Sequence, residues 1–188
     1  MGGSTLRLLV LFYLLLAGAG LGVMTWFGLI GGLGLPKDPP GILVGLGAGA
    51  ALGAVLVALS RLGSRYAESV RRLEAGLRSL LGPMTRLEVV IAALASSIGE
   101  EFLFRGAMQP LIGLWPTALI FGVLHRGPNR LFAIWPILAA LAGLLLGVLV
   151  EWSGSVWPAV VAHALINGLN LEYLVGRKVS APAGRGEE

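Results

Sequence analysis

From Leu8 to Pro36 the chain carries no charged side chain. A helix needs about 20 apolar residues to cross the hydrocarbon core of a bilayer. This run is long enough for a first membrane span, with Lys37-Asp38-Pro39-Pro40 as the turn beyond it. A signal peptide is the competing reading, because Ala17-Gly18-Ala19 imitates a cleavage site. The apolar run continues well past Ala19, which favours the span. Composition agrees. Only 13% of the 188 residues are charged, 56% are hydrophobic, and the mean hydropathy is +0.84. A soluble domain usually carries roughly a quarter charged residues, and so short a chain cannot hide this much apolar surface from water. One membrane-embedded domain is therefore expected. The formal charge of +4 does not point to nucleic acid, because the basic residues sit between apolar runs. The chain has no cysteine, which excludes disulfides and thiol catalysis but leaves the redox compartment open.

Further along, residues 41–60 form a second uncharged run rich in Gly and Ala, a composition that lets membrane helices approach closely. Residues 61–88 break the pattern. Arg61, Arg65, Arg71, Arg72, Arg78 and Arg86 stand against Glu68, Glu74 and Glu88, while Leu62, Tyr66, Val70, Leu73, Leu77 and Leu80 recur at helical spacing. An amphipathic helix at the membrane interface is expected there. A third span is expected from about Leu87 to Ile112, with a turn at Trp115-Pro116. A fourth, short apolar run covers 116–124 and ends at His125-Arg126-Gly127-Pro128-Asn129-Arg130. Residues 131–150 make a fifth span, Glu151-Trp152-Ser153-Gly154-Ser155 a turn, and 156–175 a sixth. Arg177-Lys178 and a small polar tail follow.

The fold class implied is an all-α, polytopic transmembrane bundle of about six spans plus an interfacial helix. Its parts are two N-terminal transmembrane helices (1–60), a cytoplasmic amphipathic segment (61–86), a catalytic membrane core (87–175) and a polar tail (176–188). Cytoplasmic loops of membrane proteins carry an excess of Lys and Arg. With 61–86 inside, Arg7, Arg126, Arg130, Arg177 and Lys178 also fall inside, while Lys37-Asp38 and Glu151 fall outside. Both termini are thus expected in the cytoplasm, in what is expected to be the plasma membrane.

The third expected span contains Glu100, Glu101 and Arg105. Each charge at a helix centre facing lipid costs roughly 2.5–3.5 kcal/mol. These groups must face a protein interior, a cavity or one another, and an intramembrane ionisable residue is a functional-site candidate by default. A structural ion pair is the bland alternative. Spacing separates the two acids. Glu101 and Arg105 are at i,i+4 with the acid first, the favourable order for a pair. Glu100 has Leu103 and Phe104 at those offsets and so has no local cation. Glu101–Arg105 reads as support, and Glu100 as the free acid–base group.

The two histidines of the chain, His125 and His163, both lie at or within membrane spans. A lone histidine in a span is often only a packing residue. Here His163 shares a helix face with Asn167 at i,i+4. At 1.5 Å per residue Glu100 lies roughly 20 Å from the inner end of its span, His125 roughly 15 Å and His163 roughly 10 Å from the outer ends of theirs. All three depths fall near the middle of a core about 30 Å thick. The polar stretch Arg126–Arg130 would then line a water-filled vestibule. Amide hydrolysis needs an activated water, oxyanion stabilisation and a proton for the leaving amine. Glu100 can take the proton from water, His125 can orient that water, and His163 and Asn167 can donate to the oxyanion. Glu100, His125 and His163 could equally hold a zinc ion or another divalent metal with an open position, although the HExxH spacing is absent.

Three segments, Glu100-Glu101-Phe102-Leu103-Phe104-Arg105-Gly106, Phe121-Gly122-Val123-Leu124-His125 and His163-Ala164-Leu165-Ile166-Asn167, match the patterns EExxxR, FxxxH and HxxxN in order. Over about residues 87–175 the chain thereby resembles the CAAX-protease and bacteriocin-processing (CPBP, Abi) family of intramembrane proteases. The resemblance implies an α-helical fold with the site opening to the cytoplasmic side. It implies water activation by Glu100 with His125, an oxyanion site from His163 and Asn167, and support from Glu101, Arg105 and Phe121. Both metal-dependent and metal-free glutamate mechanisms have been described for the family. Only one free glutamate is present and Asn167 is a poor zinc ligand, so no cofactor is expected to be required. The departure is Arg126-Gly127-Pro128 directly after His125, where many relatives stay apolar.

The expectation is an intramembrane endopeptidase acting on peptides or membrane proteins within the lipid bilayer, with no nucleic-acid partner. The alternative is a non-enzymatic membrane protein, a self-immunity protein or a proton-coupled transporter, because carboxylates and histidines also serve as proton relays. Inverted hydropathy repeats, which would favour transport, are not found.

Overall fold

A computed structural model describes residues 3–34 and 39–176, and the described residues contain helices and connecting turns but no strand. Lys37-Asp38, Arg177-Lys178 and the rest of the expected polar tail lie outside the described residues. In chain order the helices are α1 (Gly3–Trp26), α2 (Pro39–Tyr66), α3 (Glu68–Leu81), α4 (Arg86–Glu101), a π-helical segment (Phe102–Met108), α5 (Gln109–Ile112), α6 (Leu114–Leu124), α7 (Trp135–Ser153) and α8 (Trp157–Gly176). Short 3-10 turns lie at Ile30–Leu33 and Arg130–Phe132.

Four stretches are long and apolar enough to cross a membrane: Ser4–Trp26, Gly41–Tyr66, Arg130–Ser153 and Trp157–Gly176. The chain is an all-α integral membrane bundle, as expected. The third and fourth of the six expected spans do not reach that mark. The third is the charge-bearing, broken helix α4–π–α5. The fourth is α6, whose 11 residues reach only about 16 Å at 1.5 Å per residue. Burial is inverted relative to a soluble protein. Leu8 is 67% exposed, whereas Glu101 is 0% and Arg105 1% exposed. Many large apolar side chains lie on the outer surface, where lipid can cover them, while Glu100, Glu101, Arg105 and His163 are buried.

The uncharged run that opens the chain is not one helix. α1 stops at Trp26, Gly28 takes φ 68°, and the remainder turns back on the bundle. There Val156 N–H donates to Gly32 O at 3.0 Å, and Trp157 Nε1 donates to Leu33 O at 2.7 Å. Gly45, Gly49 and Gly53, spaced by four, line one face of α2. A Cβ on Gly53 would meet Ala162 O at 2.9 Å, and one on Gly49 would overlap Pro158 O. This small-residue stripe brings α2 against α8 at backbone distance.

The basic amphipathic segment is shorter than expected. Arg61 and Arg65 finish α2, and the separate amphipathic helix is α3 alone. It buries Leu73, Glu74 and Gly76, and Ser64 Oγ donates to Glu74. On its exposed side Arg72 and Arg71 bond Glu68 and hold that carboxyl below its ordinary range. Glu88 belongs to the next helix. Thr85 and Glu88 form a reciprocal capping box that starts α4. Two further boundaries move for a backbone reason. Gly113, at φ 90°, makes the break expected at Trp115-Pro116, so that dipeptide lies in the first turn of α6. Gly154, at φ 66°, ends α7, so Glu151 remains helical.

Candidate active site

Helices α4, α6 and α8 carry the three motifs to one locus. Glu100 is the penultimate residue of α4, just before the chain widens into the π-helical segment. Such segments recur at functional sites because the extra residue per turn redirects side chains. His125 caps the C-terminus of α6, and His163 sits in the buried face of α8. Nε2 of His125 and Nε2 of His163 each lie 3.8 Å from the same oxygen, Glu100 Oε2. That oxygen is buried and accepts no hydrogen bond from the protein. Both separations exceed hydrogen-bond length, so the three groups surround a point rather than consume one another. Of the three side chains, His125 is the most accessible, at 19% against 9% for Glu100 and 7% for His163, so the site opens on the His125 side.

Each histidine is held through its other nitrogen. His125 Nδ1 lies 2.7 Å from Phe121 O. A carbonyl only accepts, so Nδ1 carries the proton and neutral His125 presents a lone pair at Nε2. His163 Nδ1 lies 2.7 Å from Glu101 Oε1. The same carboxylate oxygen accepts from Arg105 Nη1 at 3.1 Å, and Arg105 Nη2 donates to Gly143 O at 3.0 Å. A Cβ on Gly143 would sit 3.0 Å from Arg105 Nη2 and from the Phe121 ring, so a glycine is what admits the guanidinium here. The Phe121 ring lies 4.4 Å from the Arg105 guanidinium carbon and 4.4 Å, centroid to centroid, from the His125 ring. Glu101, Arg105 and Phe121 thus lie in contact with one another and with the two histidines. Glu101 also orients His163, a contact that spacing within one helix could not reveal.

Asn167 lies one turn from His163, but its partner is Ser96: Asn167 Nδ2 donates to Ser96 Oγ at 2.9 Å, and Ser96 Oγ donates to Ala93 O at 3.1 Å. Ser96 is one turn before Glu100, so Asn167 borders the site rather than touching either histidine. Residues the sequence reading missed are Ser96, Gly143 and, from α1, Tyr13, whose backbone packs against Gly99 beside Glu100: a Cβ on that glycine would sit 2.6 Å from Tyr13 O. The first two had a weak signal, small or hydroxylic residues at helical spacing inside apolar runs. Tyr13 had none. Of the expected vestibule, Arg130 lines a cavity of about 310 Å³ with Glu68 and Arg72.

The match to known proteins falls on this same region. The family model for type II CAAX prenyl endopeptidase Rce1-like proteins matches residues 82–169, from the turn before α4 to two residues past Asn167. The segment is similar to Rce1-like proteins. This Rce1-like region contains all of α4–α7 and the motif-bearing part of α8, and it leaves α1–α3 outside. The chain is also 35% identical over 81 residues to the uncharacterized protein YpbD of Bacillus subtilis (strain 168). That alignment covers 43% of this chain and 42% of the relative. No solved structure matches.

The donors for a metal would be Glu100, His125 and His163. Zinc draws its ligands to about 2.0–2.2 Å from a common centre. Among the described residues, no three His, Cys, Asp or Glu side chains form a group that could hold a metal ion.

Proposed function

We propose that the chain is an intramembrane endopeptidase that hydrolyses peptide bonds of membrane-associated peptides or proteins with a water activated by Glu100. The observation that carries this reading is the convergence of both histidine Nε2 atoms on the unpartnered Oε2 of Glu100, inside a membrane bundle. The Rce1-like match over the same residues supports it.

In this reading a water beside Oε2 gives its proton to Glu100 while His125 Nε2, a lone-pair acceptor, aligns it. The water oxygen bonds to the scissile carbonyl carbon, and the carbonyl oxygen becomes an oxyanion. Asn167 Nδ2 and His163 Nε2 donate to that oxygen. For His163 to donate at Nε2 while Nδ1 donates to Glu101 it must be an imidazolium, whose charge Glu101 offsets. Glu100 then passes the proton to the amine nitrogen as the carbon–nitrogen bond breaks. Low local dielectric strengthens each of these contacts. Both termini lie in the cytoplasm in this reading, and the membrane is the plasma membrane.

The test is cleavage in proteoliposomes of a peptide panel that includes lipidated and prenylated members, comparing wild type with Glu100→Gln. Cleavage by wild type alone supports the reading. Absence of cleavage across the panel, with proton uptake instead, would favour the transporter.

A further inference from the structure

We propose that the cavity between α3 and the 3-10 turn Arg130–Phe132 is a substrate subsite for an acidic side chain near the scissile bond, its carboxylate held by Arg72 and Arg130. The proposal rests on the endopeptidase reading and names a substrate class for it: peptides that carry Asp or Glu close to the point of cleavage.

The walls of the cavity are fixed. Gly76 of α3 seats the turn, since a Cβ there would lie 3.0 Å from the Phe132 ring and 3.2 Å from Leu131 Cβ. Arg72 is one helical turn before Gly76 and shares its face of α3. On the other wall Asn129 Oδ1 accepts from Leu131 N–H at 2.9 Å, which sets the turn that carries Arg130, and Phe132 is buried behind it. The space between is about 310 Å³, with Glu68, Ser69 and Arg72 on the α3 side and Arg130, Leu131 and Ile134 on the other.

The charges of this lining favour an anion. Glu68 is its one carboxylate, and two arginines hold it. Arg71 donates to Oε2 from Nε at 3.0 Å and from Nη2 at 2.8 Å, and Arg72 donates to Oε1 from Nε at 3.1 Å. Arg72 thereby keeps both terminal nitrogens, and among the described residues no carboxylate pairs with Arg130. Guanidinium groups on facing walls suit a carboxylate, which accepts their N–H groups in parallel. Leu131 and Ile134 suit the methylene stem of the same side chain. A volume near the lower end of the ~300–1,000 Å³ usual for ligand pockets suits one side chain better than a lipid headgroup with its chains.

The cavity also adjoins the catalytic opening. The site opens on the His125 side. The His125 ring meets the Trp135 ring at 5.2 Å between centroids, and Trp135 meets Phe132 at 5.7 Å. This aromatic row leads from the opening to the turn that forms the cavity wall. A peptide leaving the Glu100 locus through that opening reaches Arg130 along the row.

Matched peptides carrying Glu, Gln or Lys at successive positions beside the scissile bond read the subsite in proteoliposomes of zwitterionic lipid. Wild type is expected to prefer the Glu peptide over its Gln counterpart, through KM. The preference, as a ratio of kcat/KM, is expected to fall about 2- to 5-fold in Arg72→Gln and in Arg130→Gln, the range of a solvent-reached ion pair. Arg130→Glu is expected to turn it toward the Lys peptide. Each preference is a ratio within one variant, so a loss of folded yield does not move it. Fluorescence anisotropy of the same labelled peptides on Glu100→Gln protein in detergent needs no turnover. If wild type cleaves no peptide, the endopeptidase reading fails and anisotropy alone decides the subsite. Equal binding or equal cleavage of the Glu and Gln peptides, or a preference that the arginine variants leave unchanged, would overturn the proposal. So would a wild-type rate that rises with added anionic phospholipid through Arg130 whatever the charge of the peptide, since the cavity would then take lipid phosphate.

Discussion

His163 Nδ1 stands 2.7 Å from Glu101 Oε1, and that oxygen also accepts from Arg105 Nη1 at 3.1 Å. One buried carboxylate oxygen therefore ties α8 to the π-helical segment and sets the direction of the imidazole. Adjacent glutamates divide the labour: Glu101 gives Oε1 to Arg105 and His163, and Glu100 turns an unbonded Oε2 toward both histidines.

Arg105→Ala should lower folded yield together with activity. It leaves the buried Glu101 carboxylate without its cation, and breaking a buried pair costs about 3–5 kcal/mol. Thermal unfolding in detergent checks this. A variant as stable as wild type would contradict the pair's structural role.

Glu100→Gln should reduce cleavage about 10²–10⁴-fold, the usual range for general acid–base catalysis. Substrate affinity should change little, because the amide keeps the shape of the side chain. Binding and turnover measured on one fluorogenic peptide separate the two effects.

Loss of oxyanion donors should act on kcat. His163→Ala and Asn167→Ala are each expected to cost up to about 10²–10³-fold. Ser96→Ala, which only frees the Asn167 amide, should cost less than Asn167→Ala. Equal losses at positions 96 and 167 would assign Asn167 a role in packing.

Metal content and chelator response decide between the two chemical descriptions. Strong chelators are expected to leave wild-type activity unchanged. One tightly bound metal per chain, with activity lost on chelation and restored by zinc, would replace the metal-free mechanism with one using Glu100, His125 and His163 as ligands.

Orientation can be read with a reporter fused after Glu188, which should be cytoplasmic. The same result is expected for a reporter placed ahead of α1. An external signal from either would remove the inward placement of the arginine-rich helix α3.

The sequence by itself determined the solvent and the need for a polar interior. Uncharged runs such as Leu8–Pro36 exceed what a soluble core can absorb, and Glu100, Glu101 and Arg105 inside an apolar run must find partners away from lipid. Those are local properties of composition and spacing, so the Glu101–Arg105 pair was legible at i,i+4, and the three motifs were legible in order. Only the tertiary structure decided which histidine Glu101 orients, that Gly143 O receives Arg105, that Ser96 holds Asn167, and that Tyr13 packs against Gly99. These are contacts between helices distant in sequence. They depend on where glycines permit backbones to approach, as at Gly99 against Tyr13, and on the π-helical turn after Glu101, which no periodicity in the sequence announces. Helix ends followed the same division. The Thr85–Glu88 capping box is a local signal, whereas the return of Ile30–Leu33 onto the start of α8 is fixed by hydrogen bonds that exist only once the bundle has closed.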